Sequence, residues 1–311
     1  LITNPQNGEI LAMVGSKNYF DRENSGNVNL TTALRQPGSS IKVINYAAAL
    51  SSGFSTASIL DDSPISFKFA GSPTYTPVNY DGKFHGKIPL RVALASSYNI
   101  PAVKVLATIG VSKMIEQGKL MGIESWNDEN RYGLSLTLGG GEVTMLDLSK
   151  VYSTLATGGI RHSLTPILKI TNWRGEDLST PILQESIRAT SEEIAFILSS
   201  ILSDNNARSP AFGPNSSLVI PGKTVAVKTG TSDSKRDNWT IGFTPDYVAA
   251  VWVGNNDNTP MNPSLTSGVT GAAPIWNEIM TNLLAGKPNE EFPVPQGLIP
   301  VRICAANGLL T

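Results

Sequence analysis

The sequence predicts an α+β fold in which an antiparallel sheet is flanked by helices. Apolar segments with strand character lie at both ends of the chain, and segments with helical periodicity lie between them. The strand segments come in consecutive pairs joined by short turns, and such hairpins favour antiparallel pairing. We therefore expect a sheet drawn from both ends of the chain, with a helical insertion between its parts.

The chain is predicted to open with a hairpin and a buried helix. Residues 1–3 and 9–15 are the strand segments, and Asn7-Gly8 between them is a strong hairpin turn. Pro37-Gly38 indicates a second turn. It precedes an Ala-rich apolar run, residues 41–50, that predicts a short buried helix.

The central part of the chain is expected to alternate irregular and helical segments. Residues 51–87 are rich in Ser, Pro, Gly, Asp and Tyr, and we expect them to be irregular. Pro101 disfavours helix at the residue before it, so Ser97-Tyr98-Asn99 is expected on a connection between two helices. Helices are predicted over 89–95, 102–109, 112–120 and 145–156, the first beginning at Pro89 and the last capped by Thr144.

The C-terminal half is predicted to supply the remaining strands and two more helices. Thr190-Ser191-Glu192-Glu193 is a capping box that opens an amphipathic helix over 194–202. A further helix is predicted over 275–284, after Gly271 and Pro274. Strands are predicted over 167–171, 178–182, 225–231, 238–243 and 247–254, the first two as a hairpin around Arg174-Gly175.

Composition excludes several classes of function. The net charge of −1 over 311 residues does not indicate a basic surface of the kind that binds nucleic acid. No apolar run reaches the roughly 18 residues that a membrane-spanning helix needs. The chain begins at Leu1 without a Met or a signal peptide, so we expect it to be a segment of a longer protein.

The histidines and the cysteine do not favour a metal site or a histidine-based catalytic site. His85 and His162 have no carboxylate or cysteine partner at ligand spacing, and both are predicted to lie on surface loops. A Ser-His-Asp triad is therefore poorly supported. Cys304 is the single cysteine and is expected to be an incidental thiol, so we predict no metal and no cofactor.

Ser39 and Lys42 would place a nucleophile and a base at the start of the predicted helix. Residues three apart are neighbours on a helix, so the Lys42 amine is expected beside the Ser39 hydroxyl. A serine needs such a base, and a lysine can serve when burial or a second cation lowers its pKa. The N–H groups of the helix N-terminus would face a developing oxyanion. The alternative is an ordinary serine at a helix start.

A second S-x-x-K pair shows that this motif is weak alone. Ser232 and Lys235 lie in a charged run without apolar periodicity, which we predict to be a solvated loop. About one such pair is expected by chance in a chain of this length.

Lys228-Thr229-Gly230 is a sharper motif, because it is expected by chance only about 0.07 times in such a chain. It lies on a predicted strand. Lys228 could supply a cation, while Thr229 and Thr231 could supply hydroxyls to hold a carboxylate. Gly230 would leave room for a substrate backbone against the strand. The alternative is a plain amphipathic strand end.

The Ser97-x-Asn99 pattern gains its meaning from its place between two helices. Ser97 could relay a proton there, and Asn99 could bind a substrate amide. Ser203-Asp204-Asn205 has the same spacing, but it follows an amphipathic helix and is predicted to be a helix C-terminal loop.

Taken in chain order, these three motifs form the set found in penicillin-binding proteins and serine β-lactamases. The chain resembles the transpeptidase domain of bifunctional, class A penicillin-binding proteins over nearly its whole length. The resemblance implies the fold of that group, an antiparallel sheet flanked by helices with an all-helical subdomain. We expect the domain over 1–287, its helical subdomain roughly over 51–165, and a C-terminal extension over 288–311. The resemblance rests on residues 4–15, 35–39, 97–103, 138–144, 228–232, 237–239 and 252–257.

The resemblance implies a peptidoglycan D,D-transpeptidase. Ser39 would attack the penultimate D-Ala carbonyl of a stem peptide, D-Ala would leave, and the amine of a second stem peptide would take the acyl group. β-Lactams would acylate the same serine. Lys42 would be the base, Ser97 the proton shuttle and Lys228 the electrostatic partner.

The resemblance also implies substrate contacts and a cellular setting. Asn99 would bind the donor amide, Thr229 and Thr231 its carboxylate, and the backbone N–H groups of Ser39 and Thr231 would form an oxyanion hole. The glycosyltransferase domain and membrane anchor of the family are missing from the chain. We therefore expect a longer parent protein, anchored at the outer face of the bacterial cytoplasmic membrane.

Two other functions on the same fold stay open. One is a hydrolase, either a β-lactamase or a D,D-carboxypeptidase. A class A β-lactamase needs a Glu-x-x-Leu-Asn sequence to activate water, and none occurs between Ser97 and Lys228. The other is a β-lactam sensor that is acylated without turnover, whose motifs would look the same.

Overall fold

The computed structural model describes residues 1–68, 71, 73–178, 186–262, 270–304 and 308–309. The strands, in chain order, are β1 (Ile2–Asn4), β2 (Glu9–Ala12), β3 (Ile59–Asp62), β4 (Gly86–Pro89), β5 (Ile160–His162), β6 (Ser186–Arg188), β7 (Ala226–Thr231), β8 (Asp237–Phe243) and β9 (Val248–Gly254). The α-helices are α1 (Lys42–Ser51), α2 (Leu90–Ala95), α3 (Asn99–Ile109), α4 (Val111–Met121), α5 (Met145–Ala156), α6 (Glu192–Ser203), α7 (Asn205–Phe212) and α8 (Ala272–Leu283). Short 3₁₀ helices span Gly38–Ile41, Glu129–Arg131, Leu134–Leu138 and Asp233–Lys235.

The main sheet joins both ends of the chain, which confirms the predicted antiparallel sheet. Its five strands run in the order β2-β1-β9-β8-β7, and every neighbouring pair is antiparallel. The N-terminal strand pairs with the C-terminal part of the chain, with Ile2 opposite Ala249. This order leaves β7, which carries Lys228, at one edge of the sheet.

The sheet is covered on both faces, as alternation along β9 shows. Val248 and Ala250 belong to the larger core with α1, α5 and α6, whereas Ala249 and Val251 pack with α8 in a second core. Successive strand residues point to opposite faces, so a strand covered on both sides is apolar throughout. Helix α1 lies deepest and is buried from Lys42 to Leu50. The serine-bearing turn at its start is therefore anchored to the larger core through Ile41.

Most predicted helix ends are close to the observed ones. Thr144 caps α5 in a capping box with Asp147, as expected from its position. The cap of α6 is Ser191, whose hydroxyl accepts from the Ile194 amide, so the box predicted at Thr190 was placed one residue early. Helix α3 begins at Asn99 and holds Pro101 in its first turn, where a missing amide proton costs little.

Two short strand pairs were not predicted from the sequence. Residues 51–87, expected to be irregular, contain β3, which pairs with β4. Because β3 contains two aspartates, the sequence pattern does not predict a strand there. The hairpin expected around Arg174-Gly175 is present at its turn, where Thr171 forms an antiparallel bridge with Asp177 and the Leu178 amide donates to the Ile170 carbonyl oxygen. Residues 179–182 of its second strand lie outside the described residues. The pair β5–β6 was not predicted.

Ser203-Asp204-Asn205 marks a junction between two helices. Asp204 ends α6 and its carboxylate accepts from the Ala207 amide, which caps the unpredicted helix α7. The prediction of a helix C-terminal loop was therefore right for the first helix and missed the second. No helix in the described part of the chain is both long and apolar enough to cross a membrane. The domain boundaries at 51–165 and 287 stay predictions.

Candidate active site

A cleft of about 660 Å³ lies between the turn that carries Ser39, the end of β7 and the turn between α2 and α3. It brings together the three sequence motifs. Six of the eight predicted site residues line it, and the two lysines lie behind its wall, almost fully buried. The lining residues from the prediction are Ser39, Ser97, Asn99, Thr229, Gly230 and Thr231.

Two glycines let the serine turn approach strand β7. Gly38 has a positive φ of 54°, and a Cβ there would lie 2.4 Å from the Thr231 carbonyl oxygen. A Cβ on Gly230 would lie 2.2 Å from the carbonyl oxygen of Pro37. Only glycine permits such contact between two backbones. The backbone around Ser39 is thereby pressed against Thr231, the other residue expected to form an oxyanion hole.

Lys42 is fully buried and its ammonium turns toward the α2–α3 connection. Nζ donates to the carbonyl oxygens of Ser97 (2.6 Å) and Tyr98 (3.1 Å) and to Oδ1 of Asn99 (2.7 Å). Among the described residues, no hydrogen bond joins Lys42 to Ser39. The hydrogen bond expected between them is thus absent from this arrangement, in which Nζ donates to these three acceptors instead.

Ser97 links the two lysines. Its hydroxyl accepts from Nζ of Lys228 at 2.7 Å and lies 3.5 Å from Nζ of Lys42. Its φ of 62° is in the left-handed region, which side chains with a Cβ rarely adopt. Such strain persists only where the surroundings enforce it, and it clusters at functional sites.

Both lysines have pKa values far below the ordinary range. Burial lowers the pKa of Lys42 well below its usual value; the nearby Lys228 lowers it further, and Asp62 opposes the shift. Burial, helped by the cation of Arg208, lowers the pKa of Lys228 to about 7. A lowered pKa makes the neutral amine easier to form, and the neutral amine is the form that a base needs.

The Ser232–Lys235 pair is only partly the solvated loop that was predicted. Asp233, Ser234 and Arg236 are exposed, but Ser232 is buried and its hydroxyl bonds the Asp237 carboxylate at 2.8 Å. Ser232 also lines the cleft. The role of Ser232 is therefore to hold the end of β7 against β8.

No carboxylate partner at ligand spacing was predicted for His85, but the structure gives it two. Its Nδ1 lies 2.6 Å from Asp62 and its Nε2 lies 3.1 Å from Asp81, while its ring stacks on Tyr98. Asp62 lies 23 positions away along the chain and could not be found from local spacing, whereas Asp81 lies only four positions away and could have been. His162 lies on β5, away from the cleft, and no cluster of three potential metal ligands occurs within the described residues.

Comparison with known proteins identifies the group to which this architecture belongs. An antiparallel sheet with a serine and two buried lysines at one edge defines the penicillin-recognising serine proteins. Residues 1–281 match the protein-family model for the penicillin binding protein transpeptidase domain. The chain belongs to this family.

Individual relatives give the same result. The chain is 33% identical over 298 residues to penicillin-binding protein 1A of Neisseria lactamica, covering 94% of this chain and 36% of that protein. It is 31% identical over 338 residues to penicillin-binding protein 1A of Rickettsia conorii, covering 100% and 41%. The chain thus spans less than half of the length of these relatives.

Solved structures share the fold. The crystal structure of penicillin-binding protein 1A from Haemophilus influenzae superposes with a TM-score of 0.87 at 28% identity, covering 100% of this chain and 51% of that chain. PonA1 from Mycobacterium tuberculosis in complex with penicillin V superposes with a TM-score of 0.78 at 24% identity, covering 94% and 79%. These matches confirm the predicted fold class.

Proposed function

We propose that this chain is a peptidoglycan D,D-transpeptidase domain that crosslinks stem peptides through an acyl-enzyme on Ser39. The observation that carries the proposal is the pair of buried lysines joined by the Ser97 hydroxyl beside the serine cleft. Family membership supports the same chemistry. The D-Ala-D-Ala end of a stem peptide is the proposed donor, and β-lactams are the proposed inhibitors.

The number of protons and acceptors at the Lys42 amine indicates how this residue can act as the base. An ammonium has three protons, and Lys42 has three close acceptors, so the arrangement suits the charged form. After deprotonation the amine keeps two donors and gains a lone pair. That lone pair can take the proton of Ser39 as Oγ attacks the penultimate D-Ala carbonyl carbon. The oxyanion is proposed to be held by the N–H groups of Ser39 and Thr231.

Release of D-Ala needs a proton at the leaving nitrogen. We assign its delivery to Ser97, whose hydroxyl lies between the two lysines. The C–N bond then breaks, D-Ala leaves as an amine, and an ester remains on Ser39. The acceptor amine attacks the ester carbon and gives a proton to Lys42. The bond between that carbon and Ser39 Oγ then breaks as the new amide forms, and Lys42 returns the proton to Oγ, which restores the hydroxyl.

Substrate contacts are assigned to the residues that line the cleft. Asn99 is proposed to bind the donor amide, with Thr229 and Thr231 around its terminal carboxylate and Gly230 leaving space for its backbone. The neighbouring Lys228 supplies positive potential toward that carboxylate. We also propose that the domain acts at the outer face of the cytoplasmic membrane, as part of a longer chain with a glycosyltransferase domain and an anchor.

The first test is intact-protein mass spectrometry with penicillin V, a ligand bound by a protein of the same fold. One adduct per chain is expected, and Ser39→Ala should form none. Ser40→Ala is the matched control, because its hydroxyl faces the Pro37 carbonyl in the same turn. This control should still be acylated. An adduct on Ser39→Ala would refute the assignment of the nucleophile.

A second assay separates the candidate functions. With a D-Ala-D-Ala peptide and a D-amino acid acceptor, a transpeptidase exchanges the terminal residue in a Ser39-dependent way. Hydrolysis alone would identify a carboxypeptidase, and rapid loss of the penicillin adduct would identify a β-lactamase. A stable adduct without any peptide turnover would identify a sensor.

A further inference from the structure

A buried carboxylate lies behind the catalytic turn, outside the three motifs. Asp62, the last residue of β3, is 0% exposed. Its oxygens accept from Nδ2 of Asn79 at 2.9 and 2.8 Å, and from the amide and Nδ1 of His85 at 3.0 and 2.6 Å. Burial of a charge is costly unless donors surround it, so this set of contacts has to be maintained.

Asn79 connects that carboxylate to the start of α3. Its Oδ1 accepts from the amides of Asn99 (2.8 Å) and Ile100 (3.2 Å). These are two of the unpaired donors that every helix N-terminus leaves, and the N-cap residue Tyr98 makes no side-chain cap of its own. Asn79 therefore caps α3 from a distant part of the chain, and Asp62 fixes the orientation of the Asn79 amide.

The same segment orients the atoms that hold Lys42. The carbonyl oxygen of Val78 accepts from Nδ2 of Asn99 at 2.8 Å, which directs Oδ1 of that amide toward Lys42. The His85 ring stacks on Tyr98 with centroids 3.9 Å apart and planes 17° apart. The carbonyl of Tyr98 is another acceptor of Lys42. The cluster thus contacts both residues that flank the amine on this side.

We propose that Asp62, acting through Asn79 and His85, is a positioning residue that sets where Asn99 and Tyr98 hold Lys42, and thereby sets the rate of Ser39 acylation. The inference rests on the proposed function, in which Lys42 is the base. Asp62 does not line the cleft and contacts no reacting atom. A shift of the amine by about 1 Å is enough to slow such a step about 100-fold.

Asp62→Asn is the decisive change because it keeps the shape of the side chain. A carboxylate only accepts, and donors face both of its oxygens. The new amide would direct its NH₂ group at one of those donors. Asp61→Asn is the matched control, since Asp61 is the preceding residue of the same strand, is exposed, and pairs with Lys104 at 2.6 Å.

The experiment measures the acylation rate constant at saturating penicillin V, together with the amplitude of the reaction. Asp62→Asn should lower the rate constant about 10- to 100-fold while the amplitude stays near one adduct per chain, and Asp61→Asn should match the wild type. Misfolding lowers the amplitude and not the rate constant of the folded fraction. A rate constant within twofold of the control, at any amplitude, would overturn the proposal.

Hydrogen exchange gives a readout that does not depend on acylation. Peptides covering residues 97–100 should exchange faster in Asp62→Asn than in Asp61→Asn, because the cap on the Asn99 and Ile100 amides is weakened. Equal protection in the two variants would also overturn the proposal. If the wild type itself is not acylated, the proposed function fails, while the exchange data still decide whether Asp62 positions the turn.

Discussion

Replacement of Ser97 by glycine or alanine separates backbone strain from chemistry. With a φ of 62°, Ser97 has a conformation that costs a residue with a Cβ about 1–2 kcal/mol. Glycine escapes that cost but loses about 0.5–1 kcal/mol through its greater freedom in the unfolded chain. Ser97→Gly should therefore be more stable than Ser97→Ala by about 0.5–1 kcal/mol.

Acylation should respond differently, because both variants lose the hydroxyl that lies 2.7 Å from Lys228. Proton relay by a positioned group contributes about 100- to 10,000-fold to a rate. We expect both variants to be acylated by penicillin V at least about 100-fold more slowly than the wild type. Ser97→Gly should gain no activity from its greater stability, since both variants lack the same hydroxyl.

The assay combines chemical denaturation with the mass-spectrometric acylation rate. Ser96 is the matched control, because it has an ordinary φ of −79° and should show the reverse order, with glycine less stable than alanine. Equal stability of the two Ser97 variants would refute the role of strain. Near wild-type acylation by either one would refute the proton relay.

Two further predictions concern Lys228 and Gly230. The lowered pKa of Lys228, about 7, means that the folded protein releases this proton near pH 7, whereas the unfolded chain keeps it to about pH 10.4. Wild-type stability should rise between these pH values by up to about 1.4 kcal/mol per unit. In Lys228→Met this rise of stability with pH should be absent. A stability difference between the two proteins that stays constant from pH 7 to 9 would contradict the prediction. Gly230→Ala should cost about 1–3 kcal/mol and slow acylation, because its Cβ would meet Pro37 at 2.2 Å; unchanged melting and acylation would contradict the close approach.

The parts of the fold that could be predicted are those with local signals. Asn7-Gly8 and the apolar runs around Lys228 and Trp239 determine hairpins through turn chemistry and alternation. The three motifs could be assigned to one site because, taken in chain order, they resemble the motif set of penicillin-binding proteins. Chain order alone did not show that Ile2 pairs with Ala249, since this contact depends on the closed fold.

The parts that could not be predicted depend on tertiary contacts. The Lys42 amine makes no hydrogen bond to Ser39 because carbonyl groups of the Ser97-Tyr98-Asn99 turn accept its protons, and the motif itself does not reveal that its backbone takes this role. His85 looks like a loop residue until β3 brings Asp62 beneath it. The left-handed backbone conformation of Ser97 could not be predicted from its residue type either, because glycine is the residue expected at a positive φ.

The pairing of the first strand with the last strands of the sheet has a consequence for folding. Contacts between residues nearly 250 positions apart raise the contact order, and such topologies fold slowly. On the ribosome, Ser39 leaves the exit tunnel long before Lys228 and the strand that supports it. The proposed nucleophile is therefore synthesised early, whereas its site is completed only when the last strands have been made, so a partly made chain has no assembled site.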